Sequence, residues 1–220
     1  MSELVQPFFS DDFFEKEVSY VLLHQSSDDL KGLKLHSTEL ELAKSFKNTD
    51  RQQSFVLGRK AAYLALNKLG VIAPVLRGAL DEPIWPEGVV GSISHSEQFA
   101  ICVATTCRTF LGIGVDIELG GKGANPKITK RICTNFEFSQ LPQNAQERLD
   151  KGLRIFSAKE AYYKAVFPNL RKFLGFRDVE LEWEADSFRA RIINPNISEK
   201  VPAWGKVAQA NGLVSVCYLD

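Results

Sequence analysis

A chain of 220 residues, 45% hydrophobic and 25% charged, holds enough apolar material for one large core or two small ones. Its 27 basic and 27 acidic residues cancel, which argues against a nucleic-acid protein, where a basic excess is the usual footprint. The cysteines (Cys102, Cys107, Cys133, Cys217) form no C-x-x-C pair and the histidines (His24, His36, His95) are scattered, so no zinc site is expected.

The longest apolar stretch, Phe99 to Ala104, is too short to span a bilayer. Met1 to Ser10 has no basic region leading into an apolar run, so a cytoplasmic protein with reduced thiols is expected. Val18 to His24 reads as a buried strand. Ser37 is placed to cap a helix, and Asn48-Thr49-Asp50 breaks that segment. A stronger helix is expected from about Arg51 to Leu69, with Gly70 where a left-handed cap belongs and Pro74 barring continuation. Pro83 and Pro86 flank Trp85 in a loop. Val89 to Ser94, Phe99 to Thr105 and Leu111 to Glu118 read as strands, and Gly120 to Asn125 as a flexible loop. A helix from about Arg154 to Phe167 should end at Pro168. Asp178 to Glu184, Phe188 to Ile193 and Leu213 to Leu219 read as three further strands. The order strand, helix, strands occurs twice, which suggests two similar halves meeting near Leu111 to Val115.

Four segments could carry chemistry. In Gly114-Val115-Asp116-Ile117-Glu118 the alternation of a strand turns Ile113, Val115 and Ile117 one way and Asp116 and Glu118 together the other way. Two carboxylates on one face repel unless a cation lies between them; Mg²⁺ suits such a pair. The plainer reading is a solvated strand face. Glu160 and Lys164 share a helix face at i,i+4, with Phe156 one turn earlier, and could reach a metal and a phosphate together. As an exposed pair they would contribute only about 0.3–0.5 kcal/mol. Gly91-Ser92-Ile93-Ser94-His95-Ser96 offers three hydroxyls and an imidazole to phosphate oxygens, or else forms a polar turn; it fits neither a nucleophile elbow nor a triad. Arg51 and Arg59, eight residues apart, project within about 80° of each other and could grip phosphates, or be ordinary surface arginines.

Taken in order, these segments resemble the Sfp-type 4′-phosphopantetheinyl transferases, most of all the enterobactin synthase component D branch. Arg51-x₇-Arg59 with Gly58-Arg59-x-Ala61-Ala62 resembles the family's N-terminal helix. Ile84-Trp85-Pro86 through Gly91-Ser92-Ile93-Ser94-His95 is similar to its W-P-x-x-V-x-G-S-I-S-H stretch. Gly114-Val115-Asp116-Ile117-Glu118 matches G-[IV]-D-I-E, and Phe156-Ser157-Ala158-Lys159-Glu160-Ala161-x-x-Lys164-Ala165 matches F-S-x-K-E-[AS]-x-x-K-A. The likeness runs from about residue 37 to 185.

The resemblance implies an α+β fold, a pseudo-twofold arrangement of two similar α/β halves, residues 1–111 and 112–220, with coenzyme A between them. It implies that Asp116, Glu118 and Glu160 hold Mg²⁺ on the pyrophosphate. Ser94, His95 and Lys159 would contact coenzyme A phosphates, and Arg51 and Arg59 its nucleotide end, at the 3′-phosphate. Lys164 would stabilise the transferring phosphoryl group, and Glu160 would accept a proton from the carrier serine. Glu137 sits where the family often has another acid, and Gly120 to Leu149 is the segment expected to touch an apo acyl or peptidyl carrier protein. One departure stands out: the family's basic residue two positions before the proline of the x-P-x-W-P loop is Asp81 here, with Arg77 the nearby base. The protein is expected to act as a monomer, without nucleic acid, in siderophore, non-ribosomal peptide, polyketide or fatty-acid synthesis. Alternatives are a non-catalytic coenzyme A-binding module, which would not need the acids and Lys164 together, and a Mg²⁺-dependent phosphodiesterase or nuclease, which would be expected to carry a basic groove.

Overall fold

The computed structural model describes residues 8–10, 12–27, 30, 32–96, 98–119, 126–210 and 212–220. The loop expected at 120–125 lies outside the described residues, as do residues 1–7 of the N-terminal stretch.

The first half runs β1 (Ser19–His24), α1 (Ser37–Lys44), α2 (Thr49–Lys68), β2 (Leu76–Arg77), β3 (Pro83–Ile84), β4 (Val90–Ser96) and β5 (Phe99–Thr105). Its main sheet is antiparallel in the order β1-β5-β4, with β2 and β3 forming a separate hairpin. β5 shows why α2 lies so close to it. Ala100, Cys102 and Ala104 face the helix and meet Ala61, Ala62 and Ala65, small residues on both sides. Ile101 and Val103 point the other way, into a second core.

The second half runs β6 (Gly112–Glu118), α3 (Pro126–Ile132), α4 (Asn135–Ser139), α5 (Ala145–Leu170), β7 (Val179–Glu184), β8 (Ser187–Ile192), β9 (Ala203–Gln209) and β10 (Leu213–Leu219). Its sheet is antiparallel in the order β6-β10-β9-β8-β7. α5 lies on one face, burying Ile155, Ala158, Ala161, Tyr162, Ala165 and Val166 against Leu181, Ala190, Val207 and Cys217. The other face of β6 and β10 meets Ile101 and Val103 of the first sheet, closed off by Phe8, Phe13 and Phe14. The chain is thus an α+β protein in which each half lays one long helix across an antiparallel sheet.

Several boundaries differ from expectation for local reasons. The first helix is capped by His36, whose ring accepts from the Thr38 amide while Glu39 accepts from the His36 amide at 3.2 Å; Ser37 is already helical. Asn48 does not merely break the chain: its side chain accepts from the Arg51 amide and starts α2 at Thr49. Gly70 does adopt the left-handed conformation, with φ +73°. α5 begins at Ala145, where the Asn144 side chain accepts from the amides of Gln146 and Glu147. It passes through Pro168 and ends at Arg171, at φ +52°. A proline inside a helix removes one backbone bond, but the buried face through Val166 holds the helix on course to Leu170. Among the described residues no helix is long and apolar enough to cross a membrane.

Candidate active site

The two sheets meet along the edges of β4 and β6. β6 pairs with β10 on one side only, so its outward amides need other acceptors. Three serines spaced by two along β4 supply them. Ser92 Oγ accepts from the Val115 amide at 3.1 Å, Ser94 Oγ from Ile117 at 3.4 Å and Ser96 Oγ from Leu119 at 3.3 Å. The hydroxyl ladder does the work of a missing strand pair and fixes β6 against the first half.

On its other side β6 receives α5 at very close range. A Cβ built on Gly112 would collide with the carbonyl oxygen of Ala165, and one on Gly114 with that of Ala161. Gly112, Gly114, Asp116 and Glu118 share this face, so the two glycines admit the helix backbone and the two acids follow where the helix carries Glu160 and Lys164.

Lys164 Nζ donates to Asp116 Oδ1 at 2.7 Å, to Ser94 Oγ at 3.0 Å and to the Val115 carbonyl at 3.1 Å. Ser94 in turn donates to Asp116 Oδ1 at 3.0 Å. Asp116 is buried, and its second oxygen, Oδ2, has no hydrogen-bond partner. Glu118 is pushed up to about 7, first by burial and then by the negative charge of Asp116, with Lys164 opposing and Glu160 adding to the push. Glu160 is also raised, by burial first, with Lys164 opposing and Asp116 reinforcing. Glu118 and Glu160, both hindered in ionising by the charge of Asp116, together with the orphaned Asp116 oxygen offer a donor set suited to a cation. Among the described residues no three of His, Cys, Asp and Glu converge tightly enough to cage a metal with protein atoms alone. Mg²⁺ does not ask for such a cage, because it takes one or two carboxylates together with phosphate oxygens and waters.

His95 follows Ser94 and faces the other way, exposed. Its pKa is lowered, first by the protein mass around it and then by the charge of Lys164; Asp116 opposes and Arg51 adds to the lowering. Lys164 on α5 and Arg51 on α2 thus both favour the neutral form of the His95 imidazole.

The expected arginine pair is divided. Arg51 is exposed and reaches Asp81 at 3.7 Å; Arg77 holds the other oxygen of Asp81 at 2.6 Å. Arg59 is only 5% exposed, and burial lowers its pKa. It donates to the Leu76 carbonyl at 3.2 Å, lies over the Phe55 ring and stands 4.0 Å from Glu39. Its guanidinium is built into the packing of α1, α2 and the hairpin, so Arg77 rather than Arg59 accompanies Arg51 at the surface.

Lys159 is not at the carboxylate cluster. It is buried, and Nζ donates to Glu137 Oε2 at 2.7 Å and to the carbonyls of Ile132 and Phe176 at 2.8 Å each. All three ammonium protons are engaged, which corrects the expectation that Lys159 faces phosphates. Glu137 is its counterpart: Oε2 also accepts from the Thr134 amide and Oε1 from the Leu181 amide. The pair ties α4 and β7 to α5 beneath the site, and Glu137 is a scaffold acid. The chemistry of the ladder serines was read from sequence as phosphate contact; their S-x-S-x-S spacing was the available signal for a strand-edge role. A groove of about 920 Å³ across β7–β9 shares no residue with the cluster, and its Arg191 is already paired with Glu180 and Glu182.

Comparison with known proteins agrees with this geometry. A family model described as the 4′-phosphopantetheinyl transferase N-terminal domain matches residues 39–105, and one for the 4′-phosphopantetheinyl transferase superfamily matches residues 112–211. The chain is 35% identical over 138 residues to 4′-phosphopantetheinyl transferase PptT of Mycobacterium tuberculosis, covering 62% of this chain and 60% of that protein. It is 32% identical over 163 residues to 4′-phosphopantetheinyl transferase Npt of Nocardia iowensis, covering 71% and 69%. It is 35% identical over 117 residues to enterobactin synthase component D of Salmonella typhi, covering 52% and 48%. The matched segment thus spans between about half and two thirds of these relatives' own lengths.

Proposed function

The chain belongs to the 4′-phosphopantetheinyl transferase superfamily, and we propose that it moves the phosphopantetheine arm of coenzyme A onto a serine of an apo acyl or peptidyl carrier protein. The observation that carries this reading is the convergence, at the seam of the two sheets, of Lys164 with Asp116, whose charges both act on Glu118 and Glu160.

In the proposed reaction the carrier serine oxygen forms a bond to the β-phosphorus of coenzyme A. The bond to the bridging oxygen breaks, and adenosine 3′,5′-bisphosphate leaves with the electron pair. Glu160 accepts the serine proton as general base. Lys164, already held by Asp116 and Ser94, presents a fixed positive charge to the transferring group. His95, as a neutral imidazole, and Arg51, as a cation, would contact the phosphates and the nucleotide end of coenzyme A. Asp116, Glu118 and Glu160 would hold Mg²⁺, which when bound supplies neutralising charge to the phosphate oxygens. Residues 1–111 would then serve the nucleotide and 112–220 the metal and the chemistry. Phe136 and Phe138, exposed on α4, support segment 120–149 as the carrier contact. The same reading has the protein act as a monomer in the cytoplasm. The likeness to enterobactin synthase component D favours a siderophore carrier.

Intact-protein mass spectrometry of apo carriers incubated with the chain, coenzyme A and Mg²⁺ tests the reading. The expected result is a gain of one phosphopantetheine arm, lost with a chelator or with a serine-to-alanine carrier. No gain across several acyl and peptidyl carriers, despite measurable coenzyme A binding, would replace it with a coenzyme A-binding module.

A further inference from the structure

The hairpin of β2 and β3 turns at Gly78–Glu82, where the Gly78 amide donates to the Glu82 carbonyl and the Asp81 amide to the Gly78 carbonyl. Asp81 sits at φ +70°, a left-handed conformation that Asp and Asn tolerate better than most residues. The turn is anchored from outside as well: Glu82 accepts from the Leu80 amide and pairs with Arg171 at the end of α5. The Asp81 carboxylate is consequently presented at a defined place. One oxygen lies 2.6 Å from Arg77 and the other 3.7 Å from Arg51. Both guanidinium groups stand over the ring of Phe46, at 5.1 and 5.2 Å from its centroid. Two planar donor forks, steadied by one aromatic ring and converging on one anion, are the arrangement that takes a phosphate monoester. Here the chain provides the anion itself.

We propose that Asp81 fills the phosphate position between Arg51 and Arg77, so that the chain accepts coenzyme A and 3′-dephospho-coenzyme A almost equally. The assignment rests on the transfer reading above and deepens it by naming which donors the site admits. A 3′-phosphate arriving at the two arginines meets a carboxylate of its own sign, and to use both forks it must displace it. Its contribution to binding is therefore small in this chain and grows when the carboxylate loses its charge. Asp81→Asn is the suitable change, because Asn also tolerates the left-handed turn.

Dissociation constants for coenzyme A and 3′-dephospho-coenzyme A, measured by calorimetry on the full chain, test this. The unaltered chain should bind the two within about threefold of each other, and Asp81→Asn should tighten coenzyme A about tenfold while leaving the dephospho form unchanged. Adding Arg77→Gln to Asp81→Asn should remove the gain. A preference of about thirtyfold or more for coenzyme A in the unaltered chain, or an equal or absent effect of Asp81→Asn on the two donors, would overturn the proposal. Carrier modification judges the transfer reading separately. Donors that bind in the expected ratios yet modify no carrier would refute transfer and leave Asp81 in its role; transfer with an unchanged donor ratio in Asp81→Asn would refute Asp81 alone. Failure of both donors to bind would refute both.

Discussion

The two halves solve the same packing problem with different residues, and the difference decides where the charges gather. α2 approaches β5 through alanines and a cysteine, so the contact is apolar throughout and the helix's arginines are left at its rim or built into its flank. α5 approaches β6 through Gly112 and Gly114, and the strand face that begins with two glycines continues with Asp116 and Glu118. Closeness in the first half yields only a core. In the second it brings Lys164 and Glu160 down onto two acids. The proposed reacting groups thus lie on one helix and one strand, with the other half contributing the serine edge that holds that strand.

The sharpest way to break this contrast is to add one methyl on each side. Gly114→Ala places a Cβ into a backbone carbonyl that cannot retreat without moving α5, and should lower stability on the order of 5 kcal/mol. Gly58→Ala in α2 meets the Cγ2 methyl of Ile93, at 2.9 Å, a side chain rather than backbone, and gains helix propensity. Its loss of melting temperature should be much the smaller of the two. Equal losses in the two variants would show that the glycines of β6 have no special place.

The two lysines of α5 separate next. Lys159→Met leaves Glu137 charged and unpaired in the interior and should cost about 3 kcal/mol or more, as removing one partner of a buried pair usually does. Turnover by the fraction that remains folded should be little changed. Lys164→Met should instead lower transfer about 10²–10³-fold, the range seen when one oriented donor is removed. Thermal melts and carrier modification, measured on both variants, would contradict the assignment if the roles were reversed.

A smaller effect concerns pH. Glu118 is held near 7 against an ordinary value of 4.5, so between these values the folded chain keeps a proton that the unfolded chain has released. Its contribution to stability is full below 4.5 and falls as pH rises through 7. A cation competes with that proton, so Mg²⁺ should raise the melting temperature more at about pH 8 than at about pH 5.5. The same shift at both pH values would show that Glu118 does not face the cation.

Much of the site was legible because it follows strand and helix periods. Alternation alone puts Asp116 and Glu118 on one face, and i,i+4 spacing puts Glu160 with Lys164. The same arithmetic argues against Lys159, which is turned about 100° from Glu160 and about 140° from Lys164; the motif drew it into the site, and its interior partners confirm where the helix points it. Arg59 was less readable, since its burial depends on Glu39 from another helix. β9 was missed because Ala203–Gln209 holds Gly205, Lys206 and Gln209 among few β-branched residues. Pro168 misled because a proline marks a helix end only where packing does not carry the helix onward.

The most direct test of the central assignment is the Mg²⁺-dependent transfer rate of Asp116→Asn, measured by carrier mass shift on protein shown by thermal melt to be folded. The account predicts a fall in kcat/KM of about 10²–10³-fold with loss of the metal dependence. Full turnover that still requires Mg²⁺ would contradict it, and would move the reacting centre away from the seam between β4 and β6.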